Sequence, residues 1–194
     1  MKKRGLFVLV LAMSFCFAGN AWADGWYSGL EVGGGTSFEI AVGDMHEHEV
    51  GNLGLNVDAA WPLPLGFSKD GFLTAVGLTA QTGVVFPVGK KDYIDSWWGV
   101  DLGIGAYVDL RINQLITVRP ELAADMRLNV VSSESRSAEG AYMDFGAKAG
   151  ATVLFDVFKN GVLLKAGAGY TIFPENEHIC HYIYINAGAT YKFN

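Results

Sequence analysis

Cysteine is scarce in this sequence: there are two, Cys16 and Cys180. Cys16 lies in an apolar run between Met1-Lys2-Lys3-Arg4 and Ala21-Trp22-Ala23. A basic start, an apolar middle and a small-x-small end make up a secretory signal peptide, here residues 1–23. A lipoprotein cleavage at Cys16 is disfavoured by Phe15, where such signals resemble Gly, Ala or Ser. Cleavage after Ala23 leaves Cys180 alone, which excludes an intrachain disulfide. Basic residues are also few. Three of the 14 lie in the signal and none of the 20 acids does, so 11 bases face 20 acids in residues 24–194, a net charge of −9. That balance argues against a nucleic-acid partner. Long apolar runs are missing too. Although 51% of residues are hydrophobic, no stretch after residue 23 reaches the roughly 18 consecutive apolar residues of a membrane helix. No linker or composition shift divides residues 24–194, which read as one domain.

What the chain does have is alternation. Ile116 to Val130 (ITVRPELAADMRLNV) sets Ile116, Val118, Leu122, Met126, Leu128 and Val130 against Thr117, Arg119, Glu121, Asp125, Arg127 and Asn129. That is the period of a β-strand with one apolar and one charged face, far longer than the usual five or six residues. The pattern recurs over 52–61, 72–86, 97–110, 141–155, 162–173 and 182–193, and more weakly over 26–36. Eight strands result. Turn-forming connections at 62–71, at 111–114, which is short, and at Lys159-Asn160-Gly161 alternate with more charged ones near 38–50, 87–96, 132–140 and 174–181.

The polar faces carry Glu31, Asp58, Asp101, Asp109, Arg119, Glu121, Asp125, Arg127, Asp144, Lys148, Lys165 and Lys192. They also carry Gly99, Gly103, Gly105, Gly146, Gly150, Gly167, Gly169 and Gly188. On a soluble β-protein these glycines would decorate the solvent face, where nothing requires them. Inside a narrow closed barrel little volume is available and they fit. The expected fold is therefore all-β: an eight-stranded antiparallel up-and-down transmembrane β-barrel. Its apolar face meets lipid, its charges fill the lumen, and closure pairs every backbone group. Aromatics at the strand ends form two expected interfacial belts. Trp26, Trp61, Phe72, Phe155, Tyr191 and Phe193 lie at one end; Phe38, Phe86, Trp97, Trp98, Tyr142, Phe173 and Tyr182 lie at the other.

The signal segment, the strand count and the ending Gly188 to Phe193 (GATYKF) resemble the small eight-stranded outer-membrane barrels: the OmpA transmembrane domain, OmpX, the opacity proteins and the OmpW group. Those chains usually end on the aromatic, whereas this one adds Asn194. The resemblance implies an outer-membrane location after export, with membrane lipid, the outer-membrane assembly machinery and an extracellular ligand as partners. It implies either a structural or surface-interaction barrel with a side-chain-filled lumen, or a narrow pore for ions or small hydrophobic solutes. The interior charges read as a structural ion-pair network rather than as general acids, so no enzyme is expected.

All four histidines fall in the first and last charged connections: His46 and His48, then His178 and His181. Barrel closure makes those connections neighbours. If the strand phases persist into them, His46, His48, His178 and Cys180 face one mouth, and imidazole with thiolate suits zinc or copper. Otherwise they are polar residues of solvated loops, and no cofactor is implied.

Overall fold

The structure is a computed structural model, and it describes residues 29–42, 51–68, 70–88, 96–132, 140–174 and 179–193. Eight strands follow one another: β1 (Glu31–Val42), β2 (Gly51–Pro62), β3 (Leu73–Val88), β4 (Ser96–Arg111), β5 (Ile116–Ser132), β6 (Gly140–Phe155), β7 (Val162–Pro174) and β8 (Ile179–Lys192). Each pairs antiparallel with its sequence neighbours, and β8 returns to β1, closing an all-β up-and-down barrel. Backbone hydrogen bonds from Gly29 to Phe193 (2.8 Å) and from Phe193 to Leu30 (2.8 Å) extend that closure past the strand ends.

The first strand departs from the expectation. Alternation predicts 26–36, whereas β1 runs from Glu31 to Val42. Gly33-Gly34-Gly35 gives no polarity contrast, so the start and end of the pattern are blurred. Beyond the glycines the alternation resumes, with Ser37 and Glu39 inward and Phe38 and Ile40 outward, in register with Asn186, Tyr184, Ile185 and Ile183 of β8.

Turn chemistry closes one rim. The Asn113 carboxamide oxygen accepts hydrogen bonds from the Leu115 and Ile116 amides (2.8 and 2.9 Å), fixing the β4–β5 turn. In the β6–β7 turn Asp156 accepts from the Lys159 amide (3.0 Å) and Asn160 from the Val162 amide (3.1 Å). The Asn-Gly signal marks this turn correctly, but the positive backbone angles fall on Lys159 (φ 52°) and Gly161 (φ 89°) rather than on Asn160. The β2–β3 connection turns at Gly66 (φ 72°). These turns and both described chain ends lie at one rim, here the turn rim. The other strand ends lie at the opposite rim, here the loop rim.

The two faces of the wall differ in kind. Outward side chains are large, apolar and uncovered: Leu55, Ile104, Leu122, Phe145 and Ile185 are all more than half exposed. Inward side chains are polar and mostly covered, including Glu31, Asp109, Arg119, Asp125 and Arg127. An oily exterior around a charged interior inverts a water-soluble protein. It is the arrangement required where the surrounding solvent is hydrocarbon and every backbone group must be paired within the wall.

Inward glycines provide volume for large neighbours. A Cβ on Gly77 would meet the Tyr107 ring at 2.5 Å, one on Gly146 would meet Phe173 at 2.6 Å, and one on Gly169 would meet the Tyr184 ring at 2.6 Å. A Cβ on Gly103 meets the end of the Gln81 side chain, at 2.7 Å from Nε2, which can swing aside. Gly169→Ala is therefore expected to destabilise the folded barrel by about 1–3 kcal/mol through overpacking, and Gly103→Ala by clearly less. Urea unfolding in detergent, followed by tryptophan emission, ranks the two. Equal effects would show that the lumen is not packed around Tyr184.

Candidate functional site

Two arginines cross the bore. β5 alternates, so Arg119 and Arg127, eight residues apart, point into the lumen on the same side. At about 3.3 Å per residue they stand ~26 Å apart along the strand. Each makes a two-pronged contact with an aspartate of neighbouring β4. Arg119 reaches Asp109 through Nε and Nη2 (2.7 and 2.8 Å), and Arg127 reaches Asp101 through the same atoms (2.6 and 2.9 Å). Each also reaches a glutamate of β1: Arg119 Nη1 to Glu31 at 2.7 Å, and Arg127 Nη2 to Glu39 at 2.8 and 2.9 Å. β1 and β5 lie four strands apart in an eight-stranded ring, so both contacts span the lumen from wall to wall. The planar guanidinium fork suits this task, because it can hold two carboxylates in one plane and stack on a ring at the same time. Arg119 lies 4.1 Å from the centre of the Tyr107 ring. Arg127 lies 5.0 and 5.3 Å from the ring centres of Phe173 and Tyr182.

The clamps are not equivalent. Near the turn rim, Glu31 has a second cation, Lys192 at 3.2 Å. Near the loop rim, Glu39 receives a hydrogen bond from Asn52 (3.1 Å), and Ala41, Phe173, Cys180 and Tyr182 form an apolar cluster beside Arg127. There the expected belt is corrected. Phe173 and Tyr182 are 1% and 5% exposed and point inward, not toward an interface. The reason is phase: Phe173 follows Lys165, Gly167, Gly169 and Thr171 on the inward side of β7. Tyr182 precedes Tyr184 on the inward side of β8.

Further polar pairs line the bore. Lys165 pairs with Asp58. Lys148 donates to Gln81 (2.9 Å) and lies 4.3 Å from the Tyr184 ring centre, and the Tyr184 hydroxyl donates to Glu121 (3.3 Å). Asn129 donates to Asp144. Asp125 accepts the adjacent Met126 amide (3.1 Å) and is 6% exposed. A polar cavity of about 50 Å³ lies here, lined among others by Asp58, Glu121, Lys148, Lys165, Asn186 and Thr190. It has room for about three waters. Glu39 belongs to this network although it falls in the expected connection near 38–50. Its signal was Glu31-x-Gly33-x-Gly35-x-Ser37-x-Glu39, a polar phase that continues through the glycines.

The expected metal ligands are placed unevenly. His46, His48 and His178 lie outside the described residues. Cys180 is buried in the apolar cluster. His181 stands on the outer phase of β8, hydrogen-bonded to Tyr170 of β7. Among the described residues, no group of three or more His, Cys, Asp and Glu could hold a metal ion.

A closed eight-stranded wall with a charged, bolted interior and an apolar exterior defines a small transmembrane β-barrel of the outer-membrane kind. Solved structures place it more closely. Ail, the attachment invasion locus protein of Yersinia pestis, superposes with a TM-score of 0.59 at 17% identity, covering 86% of this chain and 99% of Ail. Neisserial surface protein A superposes with a TM-score of 0.61 at 16% identity, covering 86% of this chain and 98% of that one. Ail in complex with the heparin analogue sucrose octasulfate matches at 0.55 and 15% identity. No protein-family model and no curated sequence matches the chain. The chain thus has the fold of the small eight-stranded outer-membrane barrels.

Proposed function

We propose that this protein is an integral outer-membrane barrel with a structural or surface-interaction role, its lumen closed to solutes, and that catalysis is no part of that role. The observation that carries this reading is the pair of arginine clamps. Both cross the full bore, and Arg127 is sealed against Phe173 and Tyr182. A side-chain-filled interior is what eight strands allow. In this reading the turn rim, where both described chain ends lie, faces the periplasm and the loop rim the outside, because an even number of strands returns the chain to the side on which it starts. Surface contact then falls to segments 43–50, 89–95, 133–139 and 175–178. Together these carry nine Asp and Glu against three Lys and Arg, which selects a partner of positive charge. A polyanion of the kind bound to Ail fits that balance poorly.

The competing reading, a narrow pore for ions or small solutes, draws on the polar cavity between the clamps. Planar-bilayer recording separates the two. The purified protein is expected to give no stable conductance steps in molar salt. Regular, voltage-independent steps would overturn the closed-lumen reading in favour of the pore.

A further inference from the structure

Turns are normally polar, because their backbone and side chains meet water. The turn rim of this barrel exposes large apolar side chains beside its polar ones. The β2–β3 connection exposes Leu63, Leu65 and Phe67, the β4–β5 turn exposes Ile112 and Leu115, and the β6–β7 turn exposes Val157 and Phe158. Leu65, Ile112, Val157 and Phe158 are each more than half uncovered. At the fourth position around the mouth, where β8 meets β1, Tyr191 is exposed and packs edge-on against Phe193 at 4.9 Å. The apolar groups therefore encircle the mouth, and they continue the outward belt of the strands through Trp61 and Phe72, which are 43% and 63% exposed.

We infer that this ring is a lipid-embedded collar: the three turns sink into the acyl–headgroup boundary of the adjoining leaflet instead of standing in water. The occupant is phospholipid, and the inference rests on the membrane-barrel reading above. Two features single out lipid over a protein partner. A docking protein covers one side of a rim, whereas a bilayer surrounds it, and here each of the three turns exposes large apolar side chains. The collar also adjoins the strand belt: Leu63 follows Trp61 and Pro62, and Leu115 directly precedes Ile116. Exposed Lys159 in the β6–β7 turn sits where phosphate groups of that leaflet would lie. Strand length agrees. β3, β4 and β6 each have 16 residues, which at about 3.3 Å per residue and a tilt near 40° gives a wall roughly 40 Å high, against an apolar band of about 25 Å. With the turns held in lipid, the excess height projects at the loop rim.

Nitroxide labels test this in phospholipid vesicles. They are attached one at a time at Leu65→Cys, Ile112→Cys and Val157→Cys in a Cys180→Ala background, with Leu102→Cys at mid-strand as the lipid reference. Collision with oxygen, which concentrates in lipid, is compared with collision with a water-soluble nickel chelate. Oxygen is expected to dominate at all three turns, as at Leu102. Nickel dominating at any turn while oxygen dominates at Leu102 overturns the collar and leaves the barrel reading intact. Nickel dominating at Leu102 as well overturns the barrel reading and the collar with it. Low collision with both probes at the turns means a protein covers them, which also overturns the lipid assignment. If the Cys180→Ala background does not fold, Phe158→Trp in the otherwise native chain serves. Its added emission is expected to be quenched by lipid brominated near the headgroup and spared by aqueous iodide, and the reverse overturns the collar.

Discussion

Arg127→Ala is expected to destabilise the folded barrel by about 3–5 kcal/mol, the cost of leaving buried charge without its partner. The clamp explains the size. Arg127 is the cation shared by Asp101 and Glu39, with contacts of 2.6–2.9 Å, and removing it leaves two carboxylates facing each other across the bore. Arg119→Ala is expected to cost less, because Glu31 keeps Lys192 at 3.2 Å. If the penalty is the stranded charge rather than a lost contact, Arg127→Met combined with Glu39→Gln should be less destabilising than Arg127→Met alone. Urea titration of all four variants in one detergent reads these differences. Arg127→Ala within about 0.5 kcal/mol of wild type, the range of unremarkable surface substitutions, would show that the clamp does not hold the barrel. The same variant removes the bolt from the bore, so intermittent conductance steps absent from wild type are also expected from it in a planar bilayer.

The strands were legible because each wall segment faces two unlike environments at once. Alternation over Ile116 to Val130 survives even a proline, since Pro120 takes an outward position where its neighbours are Leu122 and Val118 and not a charge. The inward phase of Arg119 and Arg127 was legible for the same reason, because period two fixes which side of the wall a residue occupies. Glu39 was missed where polarity contrast fails. Three consecutive glycines, Gly33 to Gly35, look alike on both faces, so the end of β1 had no marker. Phe173 and Tyr182 were misplaced because strand-end aromatics suggest an interface, although phase counted from Lys165 or Lys192 puts both inside. Pairing across the lumen was out of reach altogether. Which strands stand opposite, and at what height, depends on closure and stagger of the whole ring. The contacts of Arg119 with Glu31 and of Arg127 with Glu39, each 88 residues apart, are properties of that geometry and leave no local trace in the chain.

Leu122→Arg turns the solvent of the outer face into a measurable sign. Leu122 is 64% exposed on the outward phase of β5, and its register partners are Ala106 on β4 and Ala149 on β6. Flanked by such small side chains, an arginine there has no neighbouring acid and lies too far from either rim to reach water easily. In hydrocarbon near the midplane the change is expected to cost roughly 2–4 kcal/mol. If the same face met water, an exposed Leu→Arg change would fall within about ±0.5 kcal/mol and would aid solubility. Leu65→Arg in the β2–β3 turn supplies the depth control. At the lipid boundary a cation costs about 0–1 kcal/mol, because its long stem can carry the charge to the headgroups. The expected order of stability in lipid vesicles is therefore wild type, then Leu65→Arg, then Leu122→Arg, read from the temperature at which each loses its compact, fast-migrating form on a gel. Leu122→Arg with wild-type heat resistance would mean that the apolar exterior is not in a bilayer. The inside-out assignment of the wall would then have to be reversed.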